Sequence, residues 1–249
     1  MKNNSAYSTL ADWFEYLNDD CDYENWSQYL LTGVREYLSD VKPSFFGLDI
    51  GCGSGYFTRA FTKFGYTMTG VDMSVEMLDK ARSLSLKEGL SCEYLLGDIT
   101  KFKTPKKYAF AMAINDCFNY VPKNKLVSAF KRVRDCLTKD GLFVFDISSE
   151  RKFLKKIANT VSVDDRDDVT YLSFNSVEED KVTMDVTLFV KGENAKYERF
   201  DERHTQYIYR EEEILSALDS AGFTLLKSEG IYGEDKAQTD RLYFFAKRK

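Results

Sequence analysis

The chain has 249 residues, 43% of them hydrophobic and 15% aromatic, which is enough for one large domain or for a domain with an inserted cap. Glycine and proline are too sparse for collagen-like or low-complexity structure. The formal net charge of −5 gives no sign of a broad electrostatic surface for nucleic acid, so nucleic acid is not the default partner, although it is not excluded as a substrate.

The cysteines and the N-terminal sequence indicate the compartment. None of the five cysteines forms a C-x-x-C pair and the chain has one histidine, so a zinc site is not expected. Free thiols fit a reducing cytosol. The first residues lack the basic region and apolar core of a signal peptide, and no apolar run approaches membrane-spanning length. We therefore expect a cytoplasmic protein with no metal and no membrane contact. The cysteines are Cys21, Cys52, Cys92, Cys117 and Cys136.

Strand-like and helix-like patterns alternate from Phe45 to Ile147. Ser74 is a good N-cap for the second helix, and Glu76 adds an acid to its first turn. This alternation predicts a doubly wound, mostly parallel α/β sheet with its ligand at the carboxyl ends of the strands. The predicted strands are 45–50, 66–72, 92–98, 108–114 and 142–147, and the predicted helices are 55–64, 74–88 and 123–138.

The alternation breaks after Ile147. Three strand-like runs between Val169 and Tyr209, with turns at 178–180 and 191–195, predict an inserted antiparallel β meander. A helix then begins at Glu211 and ends at Gly222, and two final strands predict a hairpin that makes one strand antiparallel. We expect residues 1–165 and 210–249 to form the α/β domain, including an N-terminal helical segment, and residues 166–209 to form a cap.

The stretch LDIGCGSG, residues 48–55, predicts a nucleotide at the turn after the first strand. Asp49 would repel a pyrophosphate, the glycine spacing is G-x-G-x-G rather than that of dinucleotide binders, and no Gly-Lys-Ser/Thr of a P-loop follows. S-adenosylmethionine carries a sulfonium and an ammonium but no phosphate. We expect Asp49 to order its cationic end and the backbone amides of the turn to meet its carboxylate.

Polar residues follow the next three strands. Asp72 stands where a carboxylate can receive both ribose hydroxyls, and Met73 can lie on the adenine. Asp98, followed by Ile99, can accept the adenine amino group. Asn115 lies at the predicted rim where the methyl group points.

These motifs, LDIGCGSG, VDMS and LLGDI, with a polar residue after the fourth strand, resemble the successive motifs of class I S-adenosylmethionine-dependent methyltransferases. The resemblance implies a seven-stranded, Rossmann-like methyltransferase fold and S-adenosylmethionine as cofactor. Residues 7–26 and 204–223 are similar to a bacterial small-molecule subgroup, but Phe14-Glu15 stands where many members have Tyr-Asp, so no tyrosine role is carried over there. The expected cofactor-binding residues are Asp49, Gly51, Cys52, Gly53, Gly55, Asp72, Met73, Asp98, Ile99, Asn115, Tyr23 and Trp26.

Several of these residues have a structural interpretation as well. Tyr23 and Trp26 either close the donor pocket or belong to an aromatic core stripe. Cys52 is better explained as a small packed side chain than as a nucleophile. His204, the only histidine, is a candidate catalytic base, but a packed histidine is the alternative.

The expected function is methyl transfer to a nitrogen or oxygen of a small molecule, by a monomer or homodimer. A nucleic-acid methyltransferase is one alternative, although the Pro-Pro-aromatic sequence of adenine enzymes is absent at residues 115–118. A non-catalytic donor-binding sensor or scaffold is a second, and a nicotinamide dehydrogenase a distant third. The sequence leaves the acceptor open.

Overall fold

The structure is a computed structural model that describes residues 6–38, 45–193 and 196–249. Its helices and strands follow the order predicted for an α/β domain with an insertion. The helices are α1 (Leu10–Leu17), α2 (Tyr23–Tyr37), α3 (Tyr56–Lys63), α4 (Val75–Lys87), α5 (Leu126–Cys136), α6 (Glu150–Lys152) and α7 (Glu211–Ala221). The strands are β1 (Phe46–Ile50), β2 (Thr67–Asp72), β3 (Glu93–Leu96), β4 (Tyr108–Ala113), β5 (Leu137–Ser148), β6 (Val161–Asp165), β7 (Val169–Glu178), β8 (Lys181–Lys191), β9 (Tyr197–Tyr207), β10 (Phe223–Gly230) and β11 (Arg241–Arg248).

Seven strands form the main sheet in the order β10-β11-β5-β4-β1-β2-β3. Strand β1 pairs in parallel with both β2 and β4, while β11 is antiparallel to both β5 and β10. This arrangement confirms the predicted doubly wound sheet and its final hairpin. Since the chain reverses its direction of travel across the sheet between β1 and β4, a crevice is expected at the carboxyl ends of these two strands.

Both faces of the main sheet are covered by helices, so its central strands are buried on two sides. All residues of β4 are buried. Along β5, Phe143 and Phe145 stack on one another at 4.6 Å on the face covered by α5 and α7, and Val144 points to the face covered by α2 and α3. Two-sided burial explains why these strands are nearly continuous apolar runs in the sequence.

The predicted ends of two helices are confirmed. The Ser74 hydroxyl oxygen accepts the Met77 amide at 3.1 Å and so caps α4. Gly222, with φ of +87°, ends α7, as expected for a residue that must adopt the left-handed conformation. Both signals are local, and for this reason they could be recognised without knowledge of the tertiary structure.

The insertion is a four-stranded antiparallel sheet in the order β6-β7-β8-β9, which we call the cap sheet. Strands β7 to β9 confirm the predicted meander, but β6 was not predicted. Its sequence VSVDD ends in two acids and its side chains are mostly exposed, so no buried alternation marks it as a strand. Strand β6 lies before the predicted cap limit at residue 166, and Asn194 and Ala195 of the predicted turn lie outside the described residues.

Helix α1 lies between the cap sheet and α4. Leu10 packs with Val186 and Leu188 of β8, and the Lys80 ammonium donates to the Asp12 carbonyl at 3.2 Å. The residues just before α1 therefore reach the carboxyl edge of the main sheet from the side of the cap. This position brings the N-terminal segment to the predicted ligand site.

Candidate active site

The glycine turn between β1 and α3 is fastened to the end of β2. The amides of Gly51 and Cys52 donate to the Val71 carbonyl at 2.7 and 3.1 Å, and the Gly53 amide donates to Asp72 Oδ2 at 2.8 Å. These amides, expected to meet the donor's carboxylate, are engaged within the protein. The turn is consequently rigid and held beside the Asp72 carboxylate.

Asp49 is a buried carboxyl group beneath this turn, with 2% of its surface exposed. Burial raises its pKa, the Thr58 hydroxyl, which donates to Asp49 Oδ2 at 2.6 Å, opposes the rise, and the charge of Asp72 adds to it. The resulting pKa is about 7. In the described part of the chain, no Lys or Arg pairs with it. A cation bound nearby would therefore stabilise its ionised form, which suits the ammonium of the expected donor.

Asp72 is held at the end of β2 by backbone donors. Its Oδ1 accepts the Ser74 amide at 2.9 Å while Oδ2 accepts the Gly53 amide. Burial raises the pKa of Asp72, and these amides oppose the rise. Each oxygen keeps a lone pair that can receive a ribose hydroxyl. The next side chain, Met73, is 74% exposed, so it is available to cover a ligand.

Asp98 and Ile99 follow β3 and lie in different surroundings. Asp98 Oδ1 accepts both the amide and the hydroxyl of Thr100 at 2.8 Å, and its other oxygen lies 3.6 Å from the Lys101 ammonium. Ile99 packs against the main core. The adenine contacts expected of these two residues stay predictions.

A buried charge network fixes the end of β4. Asn115 and Asp116 both adopt left-handed φ values, of +69° and +66°. Arg241 donates to Asp116 Oδ1 at 2.7 Å, to Asn115 Oδ1 at 3.1 Å and to Asp146, and it lies over the Trp26 ring at 4.8 Å. Burial alone would raise the pKa of Asp116, but the positive charge of Arg241 outweighs burial and holds this pKa below its usual value. Asp116 is therefore ionised. Sequence reasoning missed Arg241 and Asp146; the only signal was a charged residue next to a short apolar run, Asp146 after 142–145 and Arg241 before 242–246.

Tyr23 and Trp26 lie at the start of α2 within the core. Tyr23 stacks on Tyr56 at 4.4 Å, and Trp26 meets Phe57 edge-on at 5.1 Å. Both side chains are buried, at 9% and 6% exposure. The core interpretation therefore describes their contacts, while donor binding by either stays a prediction.

The thiols near the glycine turn are also packed. Cys117 Sγ stands 2.4 Å from where a Cβ on Gly51 would lie, so Gly51 cannot carry a side chain without movement. Burial raises the pKa of Cys52 and of Cys117 well above the usual value. Neither thiol is therefore a thiolate, which supports packing over nucleophilic catalysis.

His204 belongs to a cluster that joins the cap sheet to the carboxyl ends of β1, β2 and β4, where the donor is expected and which we call the donor edge. Its Nδ1 lies 3.3 Å from the Tyr120 hydroxyl, which is 2.9 Å from the Tyr7 hydroxyl. On the other side, His204 Nε2 lies 3.3 Å from Glu202 Oε2, an ion-pair separation without a well-aligned hydrogen bond. Sequence reasoning considered His204 alone and missed Tyr120 and Glu202, because their contacts join residues distant in the chain.

This cluster lines a cavity of about 280 Å³ between α1 and the cap sheet, which we call the cap cavity. It is predominantly apolar and aromatic. Its lining consists of Tyr7, Leu10, Phe14, Leu17, Asn18, Tyr120, Ser162, Val163, Asp164, Tyr171, Met184, Val186 and His204. A larger cavity of about 450 Å³ lies between α1 and α2, lined by acidic residues with Tyr23 and Tyr56, and does not include any residue of the Tyr7–Tyr120–His204 cluster.

The described residues contain neither a candidate metal site nor a membrane-spanning helix. No group of three or more His, Cys, Asp or Glu side chains in residues 6–38, 45–193 and 196–249 is placed to hold a metal ion. In the same ranges, no helix is long and apolar enough to cross a membrane.

Comparisons with known proteins relate this chain to methyltransferases. Residues 48–141 match the methyltransferase domain family. A protein of Geobacillus sp. (strain WCH70) that is named as a methyltransferase is 26% identical over 248 residues, 98% of this chain and 100% of the relative. A crystal structure of an S-adenosylmethionine-dependent methyltransferase from Clostridium acetobutylicum is 28% identical, with a TM-score of 0.86, and covers 96% of this chain and 97% of its own.

The fold extends to more distant proteins. S-adenosylmethionine-bound CalS10, an amino pentose methyltransferase from Micromonospora echinaspora, matches with a TM-score of 0.76 over 100% of both chains at 18% identity, which shows the shared fold. The chain is a class I S-adenosylmethionine-dependent methyltransferase, and S-adenosylmethionine is its methyl donor. The resemblance noted in the sequence is thereby confirmed, as is the Rossmann-like methyltransferase fold with a cap sheet.

The residues present fit this donor. A Cβ on Gly53 would meet nothing closer than Met77 Sδ at 4.0 Å, so the turn leaves space for a ligand on that side. The buried carboxyl of Asp49 and the anchored carboxylate of Asp72 supply negative charge beside this space.

Gly53→Ala tests whether the donor occupies the space beside the turn. Gly53 has φ of +52°, and Gly89, at the end of α4, has φ of +69° with nothing within 4 Å of its missing Cβ. Alanine should cost about 1 kcal/mol of stability at either position, because both require the left-handed conformation. Only Gly53→Ala should weaken S-adenosylhomocysteine binding in calorimetry, by about tenfold or more. Equal affinity in the two variants would contradict the assignment.

Donor binding should also weaken in acid. Because burial raises the pKa of Asp49 to about 7, the group is protonated below that pH and ionised above it. A cationic donor favours the ionised form, so affinity for S-adenosylmethionine should rise by up to about tenfold per pH unit below pH 7 and level off above it. Calorimetry from about pH 5.5 to 8 measures this slope, which Asp49→Asn should remove. A flat wild-type profile would refute the role of Asp49.

Proposed function

We propose that the protein transfers the methyl group of S-adenosylmethionine to a nitrogen or oxygen nucleophile of a small molecule bound in the cap cavity. The observation that carries this proposal is the contact between the cap cavity and the donor edge. The Tyr7 carbonyl accepts the Ser74 hydroxyl at 3.1 Å, and the Ser74 amide donates to Asp72. One short segment thus touches the expected ribose site and lines the cavity.

Electrostatic effects support the same adjacency. Burial raises the pKa of Tyr7 well above its usual value, and the charges of Asp116 and Asp72 raise it further. Those carboxylates stand at the ends of β4 and β2, where the donor is expected. Tyr120 completes the short helical turn that follows Asp116. The methyl group of a donor at this edge can therefore face the cavity.

The cap cavity suits a small acceptor. Its volume of about 280 Å³ lies near the lower end of small-molecule sites, and aromatic and aliphatic side chains make most of its wall. The net charge of −5 also disfavours a nucleic-acid substrate. CalS10, which shares the fold, acts on a small molecule, an amino pentose, which is compatible with this proposal.

Each part of the chain has a proposed role. The donor, when bound, supplies an electrophilic methyl group on a sulfonium. We assign its cationic end to Asp49, its ribose to Asp72 and its adenine to Asp98 with Ile99 and Met73. Asn115 lies toward the methyl end. Residues 166–209, joined by β6, act as the cap that shapes the acceptor cavity, and α1 closes it.

A screen of small amines and hydroxyl compounds that reads out S-adenosylhomocysteine tests this function. Met184→Trp fills the cavity from β8, whereas Phe189→Trp changes the opposite face of the same strand. Met184→Trp should reduce turnover of the best acceptor by about tenfold or more, since the acceptor is excluded, while donor affinity is kept. Phe189→Trp should behave as wild type.

Two outcomes would contradict the proposed function. Unchanged turnover by Met184→Trp would show that the acceptor does not bind in the cap cavity. Donor binding with no turnover of any small molecule would point to a non-catalytic binder or to a macromolecular substrate.

A further inference from the structure

Four polar groups form a chain from the cap cavity into the cap sheet, and none of them is assigned to the donor. The Tyr7 and Tyr120 hydroxyls are 2.9 Å apart, Tyr120 is 3.3 Å from His204 Nδ1, and His204 Nε2 is 3.3 Å from Glu202. His204 and Glu202 are each 3% exposed. The order of these groups, from the cavity to Glu202, decides what they can do.

Glu202 is an ionised carboxylate. It accepts the Tyr7 amide at 2.8 Å, the Leu10 amide at 2.9 Å and the Ser8 hydroxyl at 3.0 Å. Burial raises its pKa, but these hydrogen bonds and His204 outweigh burial and hold the pKa below its usual value. A buried negative charge therefore faces His204 Nε2 at 3.3 Å.

This charge selects the tautomer of His204. With the proton on Nε2, which faces the carboxylate, Nδ1 has a free lone pair that accepts the Tyr120 hydroxyl. Tyr120 then accepts from the Tyr7 hydroxyl. Lone pairs of the Tyr7 oxygen are left for a group in the cavity, so the hydrogen bonds run in one direction, from the cavity to His204.

We propose that Tyr7, Tyr120 and His204, with Glu202 as the positioning residue, form a proton relay that accepts the proton of an acceptor hydroxyl, and that the acceptor is an uncharged phenol or a similarly acidic hydroxyl compound. This inference rests on the proposed function and narrows its acceptor. A hydroxyl group must lose its proton for the transfer, whereas a neutral amine attacks with its lone pair and needs no base beforehand. A relay that ends in a histidine therefore assists methyl transfer to a hydroxyl oxygen, whereas a neutral amine does not need it.

The cavity wall supports an aromatic acceptor. The rings of Tyr7, Phe14, Tyr120 and Tyr171 line it together with the Met184 thioether, and planar rings pack well on such groups. Among the described lining residues none is Lys or Arg, and Asp164 is paired with Arg166 at 2.9 Å. The acceptor is thus expected to be uncharged.

The O–CH₃ bond forms as the S–CH₃ bond breaks, with that bond's electron pair retained by sulfur. The hydroxyl proton passes to Tyr7, a tyrosine proton passes from Tyr7 to Tyr120 and another from Tyr120 to His204 Nδ1. The imidazolium formed lies against the Glu202 carboxylate. After the product leaves, the proton on His204 Nδ1 passes back to Tyr120, a proton passes from Tyr120 to Tyr7, and Tyr7 gives one proton to water in the cavity, which restores the relay.

The test is the ionisation of 4-nitrophenol bound to the complex with S-adenosylhomocysteine, where no methyl group is available. At about pH 6 this phenol is mostly neutral in solution, and its phenolate absorbs visible light. Bound to wild type it should show the phenolate band, because His204 takes its proton. Tyr120→Phe and His204→Gln interrupt the relay while retaining similar size, and each should lower the bound phenolate fraction by about tenfold.

Tyr207→Phe is the matched control, since Tyr207 lies on β9 with its side chain on the face opposite His204. It should keep the wild-type band. Circular dichroism and S-adenosylhomocysteine affinity report whether each variant is folded. If a relay variant does not fold, two other measurements decide: the phenolate band of wild type, and the turnover of phenol relative to 4-nitrophenol by Tyr7→Phe. Loss of the relay should slow methylation of phenol more than methylation of 4-nitrophenol.

Three results would overturn the relay: no binding of 4-nitrophenol, binding in the neutral form, or an equal phenolate band in wild type, Tyr120→Phe and His204→Gln. Turnover of amines without any phenol in the acceptor screen would leave the proposed function standing and reject only the hydroxyl acceptor. Absence of turnover with every small molecule would reject the proposed function itself.

Discussion

The buried carboxylate of Glu202 holds the start of α1 against the cap sheet, and the shape of the cap cavity depends on this contact. Three donors from Tyr7, Ser8 and Leu10 converge on it. Two of them are backbone amides, that of Leu10 at the first residue of α1, which has no partner within the helix, and that of Tyr7 just before the helix. The carboxylate therefore satisfies groups that would otherwise be buried without a partner. This contact, together with the hydrogen bonds of Tyr7 to Ser74 and Tyr120, fixes Tyr7 between cap and donor edge.

At the donor edge, too, single charged side chains hold several elements together. Asp72 joins β2 to the glycine turn, and Arg241 joins β11 to the acids after β4 and β5. Each is a partly buried charge that makes several hydrogen bonds, the condition under which burial of a charge is tolerated. Asp49 is more deeply buried and has no Lys or Arg partner among the described residues, and its pKa is about 7. A bound cationic ligand would stabilise its ionised form.

The local pattern of the chain predicts much of the fold and the donor motifs. A few consecutive residues are enough to recognise each of these signals: the apolar runs, the Ser74 cap, Gly222 and the glycine turn. The structure confirms the helices and strands that they predict. The cap cavity could not be predicted in this way. Glu202 and Tyr7 are 195 positions apart, and Arg241 and Asn115 are 126 apart, so no local periodicity joins them. Strand β6 was missed because its side chains are mostly exposed.

The most direct measurement is a crystal structure of the protein with S-adenosylhomocysteine and 4-nitrophenol. The account predicts the ribose hydroxyls on the Asp72 carboxylate, the sulfur facing the cap cavity, and the phenol oxygen within hydrogen-bond distance of the Tyr7 hydroxyl. A ribose bound away from Asp72, or a sulfur that faces the acidic cavity between α1 and α2, would contradict it.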